Sequence, residues 1–133
     1  MRSTLRLCAV LGALAVALGA FGAHGLKSLV GPDQLLTFGT GVRYHFYHTL
    51  AIGLAAGLWV VPGVDRGRLR WAVRAWAAGV VLFSGSLYLL ALAEVLPVAV
   101  RWLGPVTPLG GVFFIGGWVM LFAAAGRTLA TDA

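Results

Sequence analysis

Three histidines, three tyrosines and one arginine carry most of the chemistry open to this chain: His24, His45, His48, Tyr44, Tyr47, Tyr88 and Arg43. His45 and His48 stand three apart, about one helical turn, so both rings could reach one ion. Arg43 and Tyr47 share a helix face, as do Tyr44 and His48. Imidazole suits copper, zinc and iron, and Tyr, His and Glu together can relay protons. Ser84, Ser86, Glu94 and Thr107 are further polar candidates. Catalysis has less support. Phe83-Ser84-Gly85-Ser86-Leu87 is not a strand-turn-helix elbow, no Asp lies close to a histidine in sequence, and no carboxylate pair or phosphate-binding glycine loop is present. A non-enzymatic protein without a cofactor is expected. Cys8, alone of its kind, cannot form an intrachain disulfide and reads as a small apolar residue.

The elements that position these residues must be helices in lipid. Of 133 residues, 60% are apolar and only 11% charged, and the mean hydropathy is +0.93. Soluble domains are about 25% charged, and a chain this short cannot bury so much apolar surface in water. That excludes a soluble cytosolic enzyme and a disordered chain. The net charge of +6 does not point to nucleic acid, because too few charges remain to build a basic groove. The expected partner is the bilayer.

Four stretches, residues 7–23, 44–62, 72–96 and 109–126, are long enough to cross a bilayer core, which takes roughly 17–25 apolar residues. None alternates like a barrel strand. The expected fold is an all-α membrane protein, a single-domain four-transmembrane-helix bundle over 1–133. Arg2 and Arg6 before an apolar run imitate a signal peptide, but Gly19 to His24 offers no clear Ala-x-Ala boundary, so a retained span is expected. Gly31-Pro32-Asp33 reads as a turn and helix start. Leu35, Leu36 and Phe38 form an apolar arc that Gly39-Thr40-Gly41 interrupts. A short helix lying on the outer interface, broken before span two, is expected there.

Cations set the direction. Arg2, Arg6, Arg66, Arg68, Arg70, Arg74 and Arg127 fall on one side, against Lys27, Arg43 and Arg101 on the other. The positive-inside rule then places both termini and the arginine-rich loop in the cytoplasm, of a plasma (inner) membrane if the host is bacterial. Helix contacts are expected through small residues: Gly53-x-x-x-Gly57, Gly12, Ala15, Gly19, Gly79, Gly85 and Gly116-Gly117. These fit packing within one chain, a homo-oligomer or a larger membrane complex equally well.

On this topology His24, Arg43, Tyr44, His45, Tyr47, His48, Tyr88, Glu94 and Thr107 converge toward the outer leaflet, with Ser84 and Ser86 deeper. Three readings compete. The favoured one is a hydrogen-bond network locking the spans, with Arg43 paired to Glu94. The second is a small-molecule, lipid or proton site. The third is a metal or haem centre on His24, His45 and His48. No charged residue is expected at mid-depth, which argues against a pump or transporter.

Four strings occur in order: Gly19-Ala20-Phe21-Gly22-Ala23-His24-Gly25-Leu26-Lys27, Thr40-Gly41-Val42-Arg43-Tyr44-His45-Phe46-Tyr47-His48, Phe83-Ser84-Gly85-Ser86-Leu87-Tyr88 and Gly104-Pro105-Val106-Thr107-Pro108-Leu109-Gly110-Gly111. Together they resemble the YgdD/YwdK-like family of small multi-pass integral membrane proteins, a domain of unknown function. The resemblance runs from about Leu7 to Ala124. It implies one multi-pass domain with a retained first span, and no reaction. It highlights His24, Arg43, Tyr44, His48, Ser84, Ser86, Tyr88 and Thr107. His45 stands where the family commonly has Gln, which weakens a shared metal site. The expected function is that of an accessory subunit or a small-ligand or lipid binder. The alternative is an oligomeric transporter or channel component, and the third reading is the metal or haem protein.

Overall fold

Each helix begins where local chemistry starts one. Arg2–Ala23 forms α1 on a run of Leu, Ala and Val. Helix α2 is Pro32–Leu58, with Pro32 at the first helical position and Asp33 in the first turn, where no N–H is needed and a negative charge is favoured. Helix α3 spans Arg66–Ala91. Its cap is Asp65, whose carboxylate accepts from the backbone N–H groups of Gly67 at 2.9 Å and Arg68 at 3.2 Å. Helix α4 is Val106–Ala125. The computed structural model describes residues 1–125, and among the described residues there is no strand. The expected end of span four at Gly126 and the placement of Arg127 and the C-terminus lie outside them.

Replacing Asp65 with Ala is expected to lower stability by about 1 kcal/mol, while Asp65→Asn keeps most of the cap. The melting temperature in mild detergent reads the difference.

Helix α1 packs on α2, α3 packs on α4, and α2 also touches α3, so α2 has neighbours on two sides. The short link between α2 and α3 turns at Gly63, whose φ of 80° is left-handed and suits glycine. At the other end of the bundle Leu26, fully buried, seals the α1–α2 connection against Phe38 and Ala91.

Among the described residues three helical stretches are long and apolar enough to cross a membrane: Arg2–Ser28, Arg66–Ala91 and Arg101–Ala125. Their outer surfaces carry Val16, Val81, Ile115 and Phe122, all well exposed. Helix α2 is long enough at 27 residues, but Arg43, His45 and His48 lower its hydropathy.

Helix α3 contains a π turn at Val80–Ser84. Such a bulge shifts the backbone locally, and here the Phe83 main chain lies directly on Gly110 of α4. Phe114 then packs on Gly79, and Gly117 on the Trp76 indole. Gly110, Phe114 and Gly117 thus form the α4 stripe that holds α3. Among the small residues expected at contacts, Gly12 and Gly19 face Thr49 and Val42 of α2, and Gly53 faces Cys8, whereas a Cβ at Gly57 or Gly116 would meet no other part of the described residues within 4 Å.

The separate interfacial helix is not formed. Its residues are the first turns of α2, which runs unbroken through Gly39-Thr40-Gly41. Two side chains support the backbone there: the Thr37 hydroxyl donates to the Asp33 carbonyl and the Thr40 hydroxyl to the Leu36 carbonyl, each at 3.0 Å. Gly41 does not break the helix because it seats the Tyr88 ring, which would lie 2.8 Å from any Cβ.

Candidate functional site

Starting α2 at Pro32 makes His45 its middle residue. The antiparallel register agrees: Gly12 of α1 lies beside Thr49, and Gly22 beside Phe38, so the centre of α1 faces the region of His45. On α4, Phe114 and Trp118 stand near the centre of Val106–Ala125 and both meet His48. The two histidines therefore lie halfway along the bundle. The expectation that all three histidines gather at one end is corrected. It took span two to begin at Tyr44, where the hydropathy rises, and so missed three helical turns ahead of it.

His48 has both ring nitrogens partnered. Its Nδ1 lies 2.8 Å from the Tyr44 carbonyl, which only accepts, so Nδ1 carries the proton. Nε2 is then free to accept from Trp118 Nε1–H at 3.3 Å. The ring is a neutral imidazole with both nitrogens used. It stacks on Phe114 with centroids 3.5 Å apart and planes 6° apart. Trp118 in turn meets Trp76 edge-on at 5.0 Å.

His45, one turn nearer the Leu26 end, is bound through Nδ1 to the Tyr88 hydroxyl at 3.0 Å. Its Nε2 is buried without a hydrogen bond among the described residues. Ser86 donates to the Phe83 carbonyl at 2.9 Å and meets the Thr107 hydroxyl at 2.7 Å, tying α3 to α4. Ser84, in the π turn, is fully buried and its hydroxyl has no hydrogen-bond partner among the described residues.

Beside this interior network a groove of about 570 Å³ opens on the outside of the bundle, between α2 and α4. Tyr44, Tyr47, His48, Phe83, Phe114 and Trp118 line it. The Tyr44 ring lies 4.8 Å from Phe83 and 6.0 Å from Tyr47.

Residues 18–111 match the family described as "Protein of unknown function (DUF423)". The chain belongs to the DUF423 family. It is 42% identical over 130 residues to the UPF0382 membrane protein YwdK of Bacillus subtilis, covering 97% of this chain and 100% of that one. It is 41% identical over 127 residues to the UPF0382 inner membrane protein YgdD of Escherichia coli, covering 95% and 91%. It is 41% identical over 124 residues to the UPF0382 membrane protein SAB0533 of Staphylococcus aureus, covering 90% and 95%. No solved structure matches. The resemblance read from the four strings thus holds, and the chain is an all-helical, multi-pass membrane protein of a family of unknown function.

Not every expected site residue of this DUF423 chain joins the network. Arg43 points away from the core and donates to Thr40 Oγ1 at 3.1 Å. Glu94 accepts from Gln34 at 3.2 Å. The expected Arg43–Glu94 ion pair is therefore not made: Arg43 stands on the outward face of α2, while Glu94 follows the end of α3 and meets the first turn of α2. Arg43→Leu is consequently expected to change stability by less than about 1 kcal/mol, seen as a nearly unchanged melting temperature. His24 is exposed past the end of α1, with Nδ1 3.1 Å from the Ala20 carbonyl, far along the bundle from His48. Among the described residues no group of three His, Cys, Asp or Glu side chains is arranged to hold a metal ion, and His24 does not join His45 and His48 as the three-histidine reading expected.

Two residues of the network, Phe114 and Trp118, escaped the sequence reading, and Trp76, whose place near a span end reads as an interfacial aromatic, is instead fully buried in the core. The available signal was the spacing on α4, where Gly110, Phe114 and Gly117 fall at i, i+4 and i+7, one helix face.

Proposed function

We propose that this chain is a non-catalytic membrane protein that crosses the bilayer four times. Both ends and the arginine-rich turn face the cytoplasm, and the groove between α2 and α4 binds a small lipid-like molecule. One observation carries the reading. Tyr47, near the middle of α2, is 56% exposed. Neither its hydroxyl nor that of Tyr44 has a hydrogen-bond partner among the described residues. Hydrocarbon offers no partner to such groups. A molecule with an apolar body and a hydrogen-bonding head would satisfy them, its body lying on Phe83, Phe114 and Trp118. The groove volume of about 570 Å³ falls within the usual range for ligand pockets.

The transporter reading has less support. Between His48 and the arginine-rich end the interior is filled by Ile52, Ala55, Leu69, Ala72 and Trp76, each 0% exposed. His45 and His48 do supply titratable groups at half depth, where the sequence reading placed none. They continue into an apolar plug rather than a polar path.

The test is mass spectrometry of the protein purified in mild detergent. A lipid-like molecule at about one per chain is expected with the wild type. Tyr44→Phe with Tyr47→Phe keeps both rings and should lose it without loss of fold. Equal retention by the double variant, or no bound molecule in the wild type, would overturn the reading. A protein retained at a fixed ratio in its place would establish the accessory-subunit role.

A further inference from the structure

A second concavity lies at the opposite end, where the first turns of α1 pass α3. Ser3, Thr4, Leu7, Arg70, Val73 and Arg74 surround a notch of about 230 Å³. We infer that this notch holds the phosphate of an anionic phospholipid, in the leaflet that contacts the arginine-rich end.

Charge is the first argument. Among the described residues this end carries Arg2, Arg6, Arg66, Arg68, Arg70 and Arg74 against one carboxylate, Asp65. Asp65 lies 3.8 Å from Arg68 and caps α3. Among the described residues neither Arg70 nor Arg74 has a carboxylate partner. Spaced four apart on α3, they present two guanidinium groups from one face. Guanidinium matches phosphate oxygens through paired N–H groups, which a point charge cannot do.

Shape is the second. Ser3 and Thr4 add two hydroxyls across the notch, and neither hydroxyl has a protein partner among the described residues. Arg74 is held over the Trp71 ring, with Cζ 5.1 Å from its centroid. That restricts its motion before any ligand arrives. Leu7 and Val73 form the floor and continue into the apolar cluster with Leu11 and Trp76. A polar head against arginines above an apolar wall is the layout of a phospholipid at the interface, with its acyl chains running down that wall. The volume is several times the ~30 Å³ share of one liquid water, room for a phosphodiester with part of its glycerol.

The inference is tested on the full chain in mild detergent, with dioleoylphosphatidylglycerol, dioleoylphosphatidylcholine and inorganic phosphate as separate probes. Phosphatidylglycerol should raise the melting temperature by about 3 °C or more. Phosphatidylcholine and inorganic phosphate should not. Arg70→Gln with Arg74→Gln should abolish the rise. Arg6→Gln with Arg66→Gln, which removes the same charge elsewhere, should retain it. If the first pair fails to fold, Arg70→Lys with Arg74→Lys keeps charge and bulk, and should lower phosphatidylglycerol retention at least five-fold in native mass spectrometry. Equal loss in both glutamine pairs, full retention by the lysine pair, an equal rise with phosphatidylcholine, or a rise with inorganic phosphate alone would each overturn the inference.

Discussion

Gly110→Val is expected to prevent α3 and α4 from pairing. Any Cβ at position 110 would lie 2.7 Å from the Phe83 Cα and against its backbone nitrogen. A side chain can rotate aside, but main chain inside a helix cannot. The valine variant is expected to lose about 4 kcal/mol or more, and Gly110→Ala about 3 kcal/mol, at the upper end for overpacking. The matched control is Gly116→Ala on the same helix. A Cβ there would meet no other part of the described residues within 4 Å, and alanine is the better helix former by about 1 kcal/mol. Its stability should hold or rise. Titration with a denaturing detergent, followed by far-UV circular dichroism, ranks the three variants. If Gly110→Ala and Gly116→Ala behaved alike, the close contact at the π turn would be wrong.

His48→Ala is the second large effect. The side chain uses both nitrogens, to the Tyr44 carbonyl and the Trp118 indole, and its ring stacks on Phe114. Truncation removes two hydrogen bonds and a stacked pair and leaves a void between α2 and α4. A loss of about 3 kcal/mol is expected. His48→Gln restores a donor and an acceptor and should recover part of it. Tryptophan emission adds a local readout, because Trp118 loses its partner. A His48→Ala protein as stable as wild type would remove the α2–α4 link from the account.

Much of this arrangement was legible in the residues. The apolar runs of α1 and α4 are long and charge-free, and that of α3 carries charge only at its ends, Arg74 and Glu94, so their existence followed from length and hydropathy. Asp65 before Arg66 and Gly31-Pro32-Asp33 before Gln34 are strong helix starts, and both serve as such. Ser86 and Thr107 were both singled out as polar candidates, though at different depths, and they do meet. The start of α2 was misread because Gly39-Thr40-Gly41 looks like punctuation, whereas glycine inside a packed helix also marks where another ring approaches. That is the case at Gly41, and only Tyr88, far along the chain, explains it. The Arg43–Glu94 pair failed for a related reason. Opposite charges near one end of a bundle need not share a face, and Arg43 stands on the side of α2 opposite His45. Gly110 was visible only as one of many glycines, since its role depends on a π turn that no local pattern announces.

The central claim is that α2 crosses the bilayer with Tyr47, rather than Leu54, at its midplane. Leu36, Tyr47, Leu50 and Leu54 all lie on the exposed side of α2, so each accepts a spin label, introduced through cysteine in a Cys8→Ser background. Collision with dissolved oxygen is greatest at the bilayer centre. The account expects the maximum at position 47, a lower value at 54 and the lowest at 36. A maximum at 54, about 10 Å further along the helix, would restore the span read from hydropathy and contradict the register on which the site rests.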